Sequence, residues 1–461
     1  MNRFRVIGAV LSISIIILPA FSVVSQPEEY SLLILCPQEF QRALQPLVEH
    51  KISKGLSTKL VTLKEIYTSV YFPVKGGDKP EQIKYFIKDA IENWGTQYVL
   101  LVGGKKGQLP IWYFPVRYVS MGNSWEPDYI SDLYYADIYD RNGSFSSWDS
   151  DNDGIYGEWR YGGLPEDKYI DLYPDVAIGR LPCRNIAEVK IMVNKIIEYE
   201  DTTYNSEWFH RMVVVAGDTY PEIDNPLWKG YEGEIYGDLA IENMSGFTPI
   251  RLYASDGTFT GESDVINAIT NGCGFLYLVG HGSPKTWGNH PPNNHTFIRG
   301  LTLKDIPLLK NEGMYPVCVF SGCHNCQFDV SIFKIFNRIS LYRGEAVPEC
   351  IGWKITRKKD GGSIASFGCT ALGHTKEDKY AFAGGINEIE VQLFRQYGYY
   401  NVHHVGDMLK NTITWYLDTY NINWDTTNTT LIKDSWVDAQ VVESYILFGD
   451  PSLMIGGYPS I

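Results

Sequence analysis

Phe275-Leu-Tyr-Leu-Val-Gly-His281-Gly282-Ser283 and, further along, Tyr315-Pro-Val-Cys-Val-Phe-Ser-Gly-Cys323-His-Asn-Cys326-Gln-Phe-Asp329 decide the fold. Each begins as a short apolar run rich in aromatic and β-branched residues, and each breaks at glycine. A run of that length, bounded by turn residues, reads as a strand buried on both faces of a parallel sheet. In open α/β sheets, chemistry collects outside the carboxyl ends of such strands. His281 and Cys323 are therefore expected to project from the same edge of one sheet. A thiol and an imidazole placed there are the minimum equipment for nucleophilic catalysis by cysteine.

The same grammar runs through the rest of the chain. Residues 31–36, 58–62 and 98–102 read as strands, and residues 37–54 and 80–94 as helices. In the second helix Ile83, Phe86, Ile87, Ala90, Ile91 and Trp94 fall on one stripe, and Pro80 suits a first turn. This βαβαβ order predicts a parallel sheet with right-handed crossovers. A strand at 175–179 follows, then a helix that Asn185 and Glu188 open as a capping box. The polar stretch 201–207 is the expected domain boundary. Beyond it come a strand at 212–216 that ends at Gly217-Asp218, helices near 263–271, 302–309, 331–341, 379–397 and 402–416, and a strand at 362–368. The expected architecture is α/β. It has two mainly parallel-sheet domains, 26–203 and 204–461, with helices on both faces.

The chain has 461 residues and a net charge of -14, which argues against nucleic acid or an anionic membrane surface as partner and favours cationic substrates. Arg3 and Arg5 precede an apolar run from 6 to 18 and then small residues, the pattern of a secretory signal peptide cut after Ser25 or Ser22. The run is short for a membrane anchor, so a secreted, extracellular protein with no membrane contact beyond the leader is expected. Of the eight cysteines, Cys36, Cys273 and Cys318 lie in or beside apolar runs, where a thiol behaves as a small hydrophobe, so few disulfides are expected.

Residues 112–173 break the pattern. They are rich in Tyr, Asp, Gly and Trp without a sustained period, and read as an insertion. Within it lies Asp149-Ser-Asp151-Asn-Asp153-Gly154-Ile-Tyr-Gly-Glu158. Carboxylates at alternate positions followed by a turn glycine are what a calcium loop needs, because a hard cation wants several oxygens from one short segment. Arg160 stands where the twelfth ligand of an EF-hand would be, so Glu158 is the expected replacement. Calcium is the one cofactor expected, in a structural role, and no organic cofactor is.

Cys323 follows Ser321-Gly322 at a strand end, where free backbone amides lower a thiol pKa and receive an oxyanion. Gly282 allows close backbone approach and offers its own N–H. Cys323-His-Asn-Cys326 also fits a disulfide-exchange site, or, with His324 and His281, His290 or His295, a zinc site. No second C-x-x-C or H-x-x-x-H accompanies it.

Gly280-His281-Gly282-Ser283-x-x-x-Trp287, Cys323-x-Asn325-x-x-Phe328 and Phe448-Gly-Asp-Pro-Ser-Leu453, in that order, resemble the gingipain-type cysteine peptidases of the caspase-like clan. The resemblance runs from about residue 29 to the C-terminus and implies that the second domain is caspase-like. It implies Cys323 as nucleophile, His281 as acid/base, and the amides of Gly282 and Cys323 as oxyanion donors. It places Asp218 in the acidic position that orients the histidine, although the family more often has Glu there. Substrate binding falls on Trp287 and, for cleavage after Arg or Lys, on Glu232 among the acids Glu222, Asp224, Glu232 and Glu234. The partners implied are proteins or peptides. Cys326 departs from the family's needs, and a reversible Cys323–Cys326 disulfide is one expectation for it. The competing functions are thiol-disulfide exchange through Cys323 and Cys326, and an inactive cell-surface binding protein.

Overall fold

The computed structural model describes residues 28–122, 126–160, 163–224, 228, 230–376, 384–428 and 435–459. The expected signal peptide, 1–25, lies outside them. Fifteen strands occur among the described residues. In the first half they are β1 (Leu32–Cys36), β2 (Thr58–Thr62), β3 (Tyr98–Val102), β4 (Tyr118–Ser120), β5 (Asp128–Ile130) and β6 (Ala177–Leu181). Then come β7 (Arg211–Ala216), β8 (Thr248–Tyr253), β9 (Phe275–Val279), β10 (His281–Ser283), β11 (Thr286–Asn289) and β12 (Ile298–Thr302). The last three are β13 (Val317–Ser321), β14 (Ala365–Cys369) and β15 (Tyr445–Phe448).

Ten of these form one sheet, in the order β2-β1-β3-β6-β15-β14-β13-β9-β7-β8. Every pairing is parallel except β14 with β15. The two expected domains thus share a single sheet. The joint is β15, which returns from the far end of the chain to pair with β6 on one side and β14 on the other. Its residues Tyr445, Ile446, Leu447 and Phe448 are buried, so both halves close over it. The same contact fixes the Gly-Asp-Pro-Ser turn that follows. Asp450 and Glu200 grip Lys51 at 2.8 and 2.7 Å, all three side chains without exposure.

The central strands are apolar on both faces because helices cover both. The helix Lys79–Trp94 starts at Asp78, whose carboxylate accepts the Glu81 N–H, and stops at Gly95 in the left-handed region. Its buried stripe includes Ile83, Phe86, Ile87, Ala90 and Trp94, as the spacing predicts. The expected helix at 331–341 differs. It is a 3-10 turn (Ile332–Phe336) and a five-residue helix (Arg338–Tyr342), divided at Asn337, whose side-chain oxygen caps the second piece. The helix Glu232–Asn243 and strand β8 escape the apolar-pattern reading. Gly233 and Gly237 interrupt that helix's apolar face, and each is needed: a Cβ there would stand 2.7 Å from the Gly217 carbonyl oxygen and 2.8 Å from Val214.

The insertion is packed rather than loose. Trp148, Trp159, Tyr134 and Tyr135 are fully buried, and β4 and β5 pair antiparallel within it. No helix among the described residues is long and apolar enough to cross a membrane.

Candidate active site

Strands β9 and β13 are neighbours in register, with Val279 opposite Ser321. Two residues beyond this pair on each strand come His281 and Cys323. The register therefore places the two residues at equivalent positions just past the carboxyl ends of adjacent strands. Cys323 is half-buried, whereas the other seven cysteines are buried. All eight are free thiols.

His281 opens a small antiparallel sheet, β10-β11-β12, that rises from the edge. Its Nε2 lies 2.8 Å from the carbonyl oxygen of Thr219. A carbonyl only accepts, so Nε2 carries the proton and Nδ1 is left as the basic nitrogen. Burial lowers the pKa of this imidazole, and the Thr219 carbonyl offsets part of that. Burial raises the Cys323 thiol to about 11, against the opposing pull of the Gly373 amide. Both shifts favour the neutral thiol and the neutral imidazole over a preformed thiolate–imidazolium.

Asp218 does not orient the histidine. Its Oδ2 accepts the Asn293 N–H at 2.6 Å, its own N–H goes to the His290 carbonyl, and its Oδ1 meets no N–H donor among the described residues. Its carboxyl faces that of Glu232, and both are raised, chiefly by burial, Glu232 to about 7. Two carboxyls so placed oppose each other's ionisation, which favours one proton shared between them. Thr219, next in sequence to Asp218, supplies the orienting oxygen instead. A backbone carbonyl carries no side-chain signature, so the resemblance placed this role on the neighbouring acid, Asp218.

Glu232 is turned inward. It is 4 % exposed and accepts the Tyr220 N–H, so it braces the turn that carries the Thr219 carbonyl rather than facing solvent. Trp287 is fully buried. Its indole donates to the Ser321 carbonyl at 3.1 Å and its ring stacks on Phe259. It ties β11 to the end of β13, the strand that leads to Cys323, and its buried ring offers no face to solvent.

Cys326 points into the core. Its sulfur lies beside Gly352 and Gly368, where a Cβ would come within 2.6 and 3.0 Å, and the thiols that burden its ionisation are Cys350, Cys369 and Cys318. Neither a disulfide with Cys323 nor disulfide exchange suits that placement. His324 takes φ 57° and lies 3.4 Å from Glu126, with burial driving its pKa to about 4. No Cys–His group able to hold a metal forms among the described residues, which removes the zinc alternative.

Three further residues build the site. Glu126, from the insertion, is buried against the Leu372 N–H and the Gln440 amide and raised to about 7 by burial. Asn289 donates to the Val279 carbonyl and the Thr219 hydroxyl, which joins the histidine strand to the orienting turn. Asn325 donates to the carbonyls of Ser283 and Thr286. Of these, only Asn325 carried a sequence signal, its place two residues after Cys323.

The acidic loop gathers Asp149, Asp151 and Asp153, with one ligand oxygen of each within 4.8 Å of the others. Asn152 and Gly154 take φ 62° and 87° there. Glu158 is not in that group. Its carboxyl is raised to about 8, by burial first and then by Glu166 alongside it.

A family model described as Peptidase family C25 matches residues 25–456. Gingipain R2 of Porphyromonas gingivalis is 22% identical over 316 residues, 67% of this chain and 34% of the relative. Lys-gingipain W83 of the same organism is 23% identical over 227 residues, 48% of this chain and 11% of the relative. The chain thus spans about a third or less of the length of these curated relatives. Among solved structures, the Arg specific cysteine proteinase gingipain R superposes with a TM-score of 0.61 at 18% identity, covering 94% of this chain and 79% of that one. The complex of Porphyromonas gingivalis RgpB pro- and mature domains gives 0.61 at 18% identity, covering 92% and 79%. At these identities the likeness shows a shared α/β fold.

Proposed function

The chain belongs to peptidase family C25, and from that premise we propose that it is a secreted cysteine endopeptidase in which Cys323 attacks the peptide carbonyl and His281 moves the proton. The observation that carries this is the register of β9 on β13, which puts the two residues level at the sheet's carboxyl edge. Because both groups start neutral, His281 Nδ1 removes the thiol proton as the sulfur attacks, instead of waiting on a standing thiolate. The proton passes to the leaving amine, and the carbonyl carbon is left as a thioester on Cys323. Water, deprotonated by the same Nδ1, then releases the acid and restores the thiol. The amides of Gly282 and Cys323 are the oxyanion donors in this scheme.

Cleavage after basic residues is supported by the net charge of -14 and by relatives whose names specify Arg and Lys. With Glu232 turned inward, the exposed Asp224 on the same loop, 3.4 Å from His295, is the acid assigned to a cationic side chain. Calcium fits the Asp149–Asp151–Asp153 group, whose hard oxygens come from one tight turn. Bound there, the ion would neutralise three carboxylates and stiffen the insertion. Export is supported by the basic-then-apolar N-terminus.

An arginyl or lysyl chloromethyl ketone tests the reading. It should abolish peptide cleavage and label Cys323 on mass mapping. Label on another thiol, or full activity after labelling, overturns it. An inactive binding protein would take no label at all, and a disulfide-exchange enzyme would need Cys326 for activity.

A further inference from the structure

We infer that Asn325 is the positioning residue that fixes how far the nucleophile stands from its base. The inference deepens the peptidase reading and rests on it. Asn325 lies two residues after Cys323 on the same turn and is fully buried. Its Nδ2 reaches across to the histidine hairpin and donates to the carbonyls of Ser283 at 2.9 Å and Thr286 at 3.2 Å. These two oxygens bracket the tip that joins β10, which begins at His281, to β11. A side chain of the cysteine turn therefore grips the histidine hairpin at its bend.

The rest of the joint is built around that grip. Gly282 and Gly322 close on the amide so tightly that a Cβ on either would stand 2.2 or 2.7 Å from Asn325 Oδ1. At the start of the helix Ile351–Thr356, the Ile351 N–H donates to Pro284 in the hairpin tip, and the Gly352 N–H donates to the Asn325 carbonyl. One helix end thus pins both parts. Asn325 Oδ1 meets no hydrogen-bond donor among the described residues. A buried amide oxygen left unpaired destabilises the fold, so this residue is poorly explained as a stability device. It is well explained as a spacer whose two N–H bonds set one geometry. Reacting groups misplaced by about 1 Å lose about 100-fold in rate, so the spacing is worth holding.

The test is Asn325→Ala in the full chain, with peptidase kinetics beside the pH dependence of Cys323 alkylation by iodoacetamide. His281→Ala serves as the reference. In the parent enzyme, the Nδ1 base speeds alkylation near neutral pH. Asn325→Ala should lose that neutral-pH component and match His281→Ala, with kcat down about 100-fold and KM within about threefold. Retention of the component, or kcat within about threefold of the parent, overturns the inference. If Asn325→Ala does not fold, two variants carry the same readouts. Asn325→Asp sets an acceptor against both carbonyls, and Gly282→Ala drives a methyl into Oδ1. A parent enzyme that cleaves no peptide yet shows the His281-dependent component would sink the peptidase reading and leave the role of Asn325 standing.

Discussion

Replacing Glu232 by Gln should stabilise this protein above pH 7 and leave its substrate preference intact. Glu232 sits at about 7 in the folded chain against an ordinary 4.5, mainly because it is buried, with the Asp218 charge opposing its ionisation further. The native state thus binds more protons than the unfolded chain between those two values, and stability falls as pH rises through that window. The full shift corresponds to a cost of up to about 3 kcal/mol above pH 7. Coupling to Asp218, whose own carboxyl is raised as well, leaves about 1–2 kcal/mol of this to the single substitution. A glutamine removes the titration while keeping both bonds: its oxygen accepts the Tyr220 N–H, and its NH2 donates to Asp218. Urea denaturation followed by tryptophan fluorescence should show almost no gain at pH 4 and a gain of about 1–2 kcal/mol at pH 8. An equal effect at both pH values, or a loss at pH 8, refutes the shared-proton account. Arginyl and neutral peptide substrates supply the second readout. A brace should change their ratio by less than about threefold, whereas loss of a charged pocket acid should cut it by about 100-fold or more.

Cys323→Ala should abolish turnover and leave the melting temperature within a few degrees of the parent, read by a peptide assay and calorimetry. Lys51→Met strands Glu200 and Asp450 as buried carboxylates at the joint of the two halves. It should cost about 3–5 kcal/mol at neutral pH in urea titration, and the gap should narrow in acid as Glu200 protonates. Calcium at 100 times its dissociation constant should stabilise the chain by about 2.7 kcal/mol, and Asp151→Asn should weaken that response in a thermal melt with and without chelator. Trp287→Phe removes the indole donor to Ser321 and should cost about 1–2 kcal/mol of stability with little change in KM, as fits a residue beneath the site.

The apolar runs that end at Gly280 and Gly322 determined most of this protein. Their length and β-branched content marked buried parallel strands, and the residues just past them, His281 and Cys323, had to emerge at one edge, because parallel strands all point the same way. Helices with a clean stripe and caps, such as Lys79–Trp94, were legible for the same reason: the information is local. Tertiary structure decided what local pattern does not carry. The sheet is single because β15, remote in sequence, pairs with both halves. The orienting oxygen of His281 is the Thr219 carbonyl, a backbone atom that every residue has. Glu232 and Trp287 have the composition of substrate-binding groups, yet the direction in which each side chain packs makes one a brace and the other a tie. Sequence spacing fixes which residues reach the sheet edge, whereas packing from distant segments fixes which way each one faces.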